Sequence, residues 1–228
     1  MIIMIIIETV VKTFHDGDKD LEILKSISIE IETGKKVAII GPSGSGKTTL
    51  LSIISGLDKP TMGKVIIDGV DIHALSEKDI SVFRNKKISI IFQSFELIQF
   101  FSAYENAMLP LSIRGAKNLE EVDLVLEKVG LTHRKHNMPA TLSGGEQQRV
   151  AIARAILAGS DIIFADEPTG NLDQVNGKKV LDLLLDVVKK TNKTFVIITH
   201  DMNIARQMDV IYSIENGVLQ KLKNENLI

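Results

Sequence analysis

Residues 39–57 read IIGPSGSGKTTLLSIISGL, and this stretch constrains the fold more than any other. Two apolar runs suited to burial are joined by a turn of small residues. Within Gly41-Pro42-Ser43-Gly44-Ser45-Gly46-Lys47-Thr48-Thr49, two glycines separated by four residues are followed by a lysine and a hydroxyl. Small residues let the backbone wrap an anion with several N–H groups pointing inward. A helix starting near Lys47 adds the positive end of its dipole. The expectation is a strand–loop–helix cradle for a nucleotide. Lys47 would reach the β- and γ-phosphates, and the Thr48 hydroxyl would ligate Mg²⁺.

A second apolar stretch, DIIFADE, ends in Asp166 and Glu167. Ligands of an open parallel sheet sit beyond the carboxyl ends of its strands, where these two side chains would emerge. Asp166 is then expected at Mg²⁺, usually through water, with Glu167 as general base polarising an attacking water. LSGGEQQRVAIARAIL (142–157) places Ser143-Gly144-Gly145-Glu146 at the start of a helix, with Ser143 as cap. That is a second anion-binding helix N-terminus, about a hundred residues beyond the first cradle. One nucleotide does not need two cradles from one chain. One resolution is that the second closes on a nucleotide held by another copy.

The surrounding pattern is α/β. Strands are expected at 2–12, 22–31 and 36–40, the first two separated by the loop HDGDKD, in an antiparallel region at the start. A helix at 47–56 and a hairpin at 64–72 turning on Asp68-Gly69 follow. After a strand at 87–93, strand periodicity is missing between about 94 and 158, where helices are expected at 120–131 and 145–159. Alternation then resumes: strand 161–165, helix 175–190, strand 194–199, helix 201–207, strand 210–214. Continuous apolar strands suit a parallel sheet covered on both faces. The expected organisation is one domain over 1–228, with core 1–93 and 159–228 and a helical subdomain at about 94–158.

With 27 basic and 29 acidic residues, the net charge is −2, so no global basic field points to nucleic acid. The absence of cysteine excludes disulfide and thiol chemistry. MIIMIII stops at Glu8, far short of the roughly 20 apolar residues of a membrane span, and reads as a buried strand. No direct membrane insertion is expected. His133 and His136 read as residues of a solvated loop.

Taken together, these motifs resemble the ATP-binding cassette (ABC) ATPase family over nearly the whole chain. The order is phosphate loop 41–48, glutamine loop at Gln93, LSGGE at 142–146, strand 162–166 followed by Glu167, GNLD ending at Asp173, and ITHD with His200. The resemblance implies an α/β phosphate-loop core and head-to-tail homodimers that sandwich two ATP. Gln93 would sense Mg²⁺ and the attacking water. His200 would contact the γ-phosphate, and Asp173 would cross the dimer interface. Phe14 stands where the family has an adenine-stacking aromatic. A separate integral membrane permease would hold the chain at the cytoplasmic face of the membrane, docking near the apolar FELIQFF. The GPSGSGKTTLLSIISGLDKPTMGKV, FELIQFFSAYENAMLPL and ADEPTGNLD stretches resemble the branch serving lipoprotein release, macrolide efflux and antimicrobial-peptide export. An alternative within the resemblance is a mechanotransmission complex that moves no solute. Two residues depart from the wider family: Ser94, where a second glutamine is frequent, and Glu146, where glutamine is common.

Overall fold

The computed structural model describes residues 2–17, 19–116 and 120–222. The chain forms two compact units, Met1–Arg84 with Lys193–Ile228, and Asn85–Asn192.

In the first unit, β1 (Ile3–Asp16), β2 (Lys19–Glu32), β4 (Met62–Ile67) and β5 (Val70–Asp71) form an antiparallel sheet ordered β2-β1-β4-β5. The two long strands are bulged, at Thr9 (φ 48°) and Ser26 (φ 51°), and the pairing register shifts there. A bulge changes which face each later side chain meets. That keeps Ile5, Ile7 and Val10 all buried although they do not share one parity. Pairing continues past the expected strand ends to Phe14↔Leu21, His15↔Asp20 and Asp16↔Lys19, so the loop is shorter than HDGDKD suggests. The cross-strand contact of His15 Nδ1 with Asp20 Oδ1, at 2.5 Å, holds that polar extension.

The strand at 36–40 corrects the sequence expectation. It is β3 (Lys36–Ile40), and it leaves the antiparallel sheet to pair in parallel with β8 (Thr194–Ile198) and β9 (Val210–Glu215). The cause lies in its side chains: Val37, Ala38 and Ile39 are all buried, which requires cover on both faces. An antiparallel edge strand, β10 (Val218–Lys221), extends β9 and carries too little apolar character to be read beforehand. α1 (Lys47–Ile54) follows the small-residue turn, and α7 (Met202–Ala205) is shorter than expected.

α2 (Glu77–Lys87) has only Ile80 buried, which explains why its sequence carries no apolar stripe. In the second unit, β6 (Ile88–Ile91) and β7 (Ile162–Asp166) pair in parallel. α5 (Gly144–Leu157) is flanked by α3 (Ala103–Ile113), α4 (Glu120–Lys128) and α6 (Gln174–Thr191). Val150, Ala151, Ile152, Ala153, Ala155 and Leu157 of α5 are buried, so this helix is the centre of the helical packing. The sequence reading assigns no helix over α3, although its start carries a readable signal. Ser102 and Glu105 form a reciprocal capping box in the S-x-x-E spacing.

Candidate nucleotide-binding site

In the first unit the phosphate loop begins where β3 ends. A Cβ on Gly41 would stand 2.3 Å from the Ile214 carbonyl oxygen and 2.8 Å from Ser45 Oγ, so only glycine fits. Gly46, at φ 98°, caps α1 in a left-handed conformation. Between them lie Pro42, Ser43 and Gly44, exposed at the loop surface. Lys47 is buried, and its ammonium donates to the Gly41 and Pro42 carbonyls at 2.9 Å each. An ammonium has three donors, so one remains for a phosphate oxygen. Ser45 Oγ is buried without a partner inside the loop. Thr48 is exposed in the first turn of α1, and Thr49 is half-buried behind it.

Parallel pairing of β3 with β8 sets Ile39 opposite Ile198. The chain leaving β8 therefore emerges beside the loop: the Thr199 amide donates to the Ile39 carbonyl at 3.2 Å, and exposed His200 follows. Phe14, 45% exposed near the tip of the β1–β2 hairpin, has the Lys12 ammonium 5.0 Å from its ring centroid.

The second unit carries the two expected carboxylates. β7 is buried along its whole length and delivers Asp166, itself buried, at its carboxyl end. Glu167 follows with φ 44°, a left-handed conformation costing a non-glycine residue about 1–2 kcal/mol. Its carbonyl accepts the Gly170 amide at 2.9 Å, closing a tight turn. Because Ile91 of β6 pairs with Ala165 of β7, Gln93 leaves its strand at the same end. Gln93 Nε2 donates to Asn171 Oδ1 at 3.3 Å, and Asn171 Nδ2 donates back to the Gln93 carbonyl at 2.9 Å. A Cβ on Gly170 would come within 2.7 Å of the Gln93 amide nitrogen. Asn171 lies inside GNLD, where sequence reasoning singled out only Asp173.

Asp173 caps α6, accepting from the amides of Val175 and Asn176 at 3.1 Å each and from Asn176 Nδ2 at 2.6 Å. The Asn176 amide above all holds its carboxyl below the usual carboxylate range. The Gln93 loop contains two further left-handed residues, Phe95 (φ 65°) and Glu96 (φ 48°). Arg154 of α5 donates to both of their carbonyls, at 2.9 and 2.6 Å, and so holds the strained pair. Neither Asn171 nor Arg154 was legible as a site residue, since both act through backbone or amide groups of other loops.

Ser143 is the N-cap of α5, with Gly144 and Gly145 in its first turn. Its hydroxyl and amide both donate to Glu146 Oε2, at 2.9 and 2.8 Å. Arg134 Nε donates to Glu146 Oε1 at 3.1 Å. The Ser143 amide is the largest influence keeping the Glu146 carboxyl below its ordinary value; burial opposes it, and the Ser143 hydroxyl and Arg134 assist. A pKa lowered by folding means that the cap stabilises the protein at neutral pH. That contribution disappears as pH falls below about 4.3 and through the folded-state value. Glu146→Gln is therefore expected to cost about 0.5–1 kcal/mol at pH 7, with the gap to wild type closing toward pH 3. Urea unfolding of both proteins across that range measures it, and a gap independent of pH contradicts the assignment.

A glycine-bounded loop between a buried parallel strand and a helix, with carboxylates delivered at the end of another buried strand, is the α/β phosphate-loop class of nucleotide-binding domain. The ABC transporter family profile matches residues 24–170. The chain is 46% identical over 211 residues to the lipoprotein-releasing system ATP-binding protein LolD of Legionella pneumophila (strain Paris), spanning 91% of this chain and 93% of that protein. It is 42% identical over 222 residues to LolD of Treponema denticola, spanning 96% and 98%. Among solved structures, the dimeric post-hydrolysis state of the ATP-binding cassette MJ0796 bound to ADP and Pi matches with a TM-score of 0.89 and 39% identity. The match covers 97% of this chain and all of that one (100%). A second dimeric MJ0796 structure matches with the same TM-score at 41% identity. This chain belongs to the ABC transporter family and has the fold of its ATPase subunits.

Proposed function

We propose that this chain is the ATP-hydrolysing subunit of a membrane export complex of the lipoprotein-releasing type. The similarity to LolD proteins along nearly its full length carries the reading. Two copies close head to tail, so that the phosphate loop of one faces Ser143-Gly144-Gly145 of the other. The dimeric state of the MJ0796 cassettes supports that arrangement.

Lys47 and the loop amides hold the phosphates, while Ser45 supplies a further hydroxyl inside the loop. The metal donors are oxygens, the Thr48 hydroxyl and the Asp166 carboxylate, and oxygen donors suit Mg²⁺. Mg²⁺ neutralises charge on the β- and γ-phosphate oxygens when bound. Glu167 accepts a proton from the attacking water, Gln93 orients that water and contacts the metal, and His200 steadies the γ-phosphate. The Asn171 amide keeps Gln93 in reach, and Asp173 meets the second copy. Phe14 stacks on adenine.

Among the described residues, no helix is long and apolar enough to cross a membrane. Phe100 is 88% exposed, beside exposed Ile98, in a segment that Asn106 pins through the Ile98 amide and through the carbonyls of Ile98, Phe101 and Ser102. A rigid, exposed apolar patch calls for a partner surface, which supports docking of a membrane permease there. The complex then places this chain on the cytoplasmic face. Purification from detergent-solubilised membranes tests the reading. The expected result is an integral membrane protein held by the wild type and lost from Phe100→Asp. Recovery of ribosomes with no integral protein contradicts it.

A further inference from the structure

Phe14 is presented to solvent with one face already taken. Lys12, two residues earlier on the same face of β1, is only 13% exposed in its side chain and is held by two anchors. Its ammonium contacts Asp58 Oδ2 at 2.7 Å and donates to the Lys59 carbonyl at 2.8 Å. From there it sits 5.0 Å from the Phe14 centroid. The anchoring loop is itself tied to β1: the Thr61 amide donates to the Val11 carbonyl at 2.8 Å, and the Thr13 amide donates to Thr61 Oγ1 at 3.0 Å. It is also tied to α1, because the Leu57 and Asp58 amides donate to the Ser52 carbonyl at 2.8 and 3.1 Å. The helix that begins at the phosphate loop is therefore braced at its far end against the strand carrying Phe14.

We propose that Lys12 is a positioning residue for the nucleotide base: anchored by Asp58 and the Lys59 carbonyl, it covers one face of Phe14 and fixes the ring so that adenine stacks on the other. A cation held over one face draws π density from the ring, which favours stacking of an electron-rich purine opposite. A lysine without anchors would lose rotamer freedom to hold this place; one already fixed by a carboxylate and a carbonyl does not. Asp58 stays ionised for this task. Burial raises its pKa, but the Lys12 contact, the Lys59 amide and the nearby charges of Lys12 and His73 together outweigh it.

This inference rests on the reading of Phe14 as the base platform, and the test separates the two. Affinities of the full chain for ATP and for inorganic tripolyphosphate are measured by calorimetry in wild type, Lys12→Met, Lys12→Arg, Phe14→Ala and the Lys12→Met/Phe14→Ala double variant. Lys12→Met is expected to weaken ATP roughly three- to ten-fold, to leave tripolyphosphate unchanged, and to add nothing in the Phe14→Ala background. Lys12→Arg restores binding. Asp58→Asn, which frees the ammonium without deleting it, gives a smaller loss confined to ATP and serves if Lys12→Met does not fold. If Phe14→Ala weakens ATP but Lys12→Met does not, the role of Lys12 is overturned and the platform stands. Wild-type ATP affinity in Phe14→Ala overturns the platform itself. Equal losses for ATP and tripolyphosphate also overturn the proposal, because they place the effect in the fold at large.

Discussion

Glu167→Gln will bind ATP as wild type does and will accumulate as a dimer, while its turnover falls by about 10²–10⁴-fold. The substitution keeps the length of the side chain and its hydrogen-bonding capacity but removes the group able to take a proton from water. Only a step in which that proton moves is affected, so binding and closure survive. In barrier terms the loss is about 3–5 kcal/mol, more than any helix cap or surface ion pair in this chain supplies. The backbone argues in the same direction. Glu167 holds φ 44° immediately after fully buried β7, and the Gly170 amide fastens its carbonyl in a tight turn. A left-handed non-glycine residue at a strand end persists where position matters more than local ease. Turnover by the purified variant, with sedimentation in ATP, checks the prediction; wild-type hydrolysis removes Glu167 from the role of base.

Lys47→Ala has the second large effect, and it falls on binding. The Lys47 ammonium already joins the two ends of the loop through the Gly41 and Pro42 carbonyls. Alanine removes that link together with the cation proposed to meet the β- and γ-phosphates. The one charge-assisted contact left to the phosphates, at about 1.5–3 kcal/mol, corresponds to roughly a 10- to 150-fold loss of ATP affinity. The fold is expected to survive, because α1 buries Leu50, Leu51, Ile53 and Ile54 independently of Lys47. Calorimetric titration with ATP, beside a thermal melt, distinguishes lost binding from lost structure. Unchanged affinity contradicts the placement of the phosphates.

What the sequence discloses divides along a physical line. The phosphate loop is legible because its chemistry is local: close approach at Gly41, positive φ at Gly46 and the lysine all lie within nine residues. β7 and β8 are legible because they are buried on both faces and spell continuous apolar runs. β3 has the same run, yet its neighbours β8 and β9 lie more than 150 residues away, so proximity to β2 suggested the wrong sheet. α2 is illegible by periodicity because it buries one residue. In the candidate site, residues that carry reactive groups announce themselves by type. Asn171, Arg154 and Lys12 do not, since each holds another residue in place through contacts spanning between 47 and 78 positions or across a bulged strand. The SGGE stretch has two readings at once. Its S-x-x-E spacing is an ordinary capping box, and the helix N-terminus it caps is the expected anion cradle.

The central claim is that every working pocket combines the phosphate loop of one copy with the Ser143–Gly145 turn of the other. Mixing two inactive variants tests it directly. Lys47→Ala disables the loop. Gly145→Asp puts a negative charge in the turn, where it suits the α5 dipole and repels a phosphate. In a two-fold dimer carrying one copy of each, one pocket collects both defects and the other is intact. Composite pockets predict that the equimolar mixture recovers roughly a quarter of wild-type ATPase activity, although each variant alone has almost none. A mixture as inactive as its two components contradicts the account.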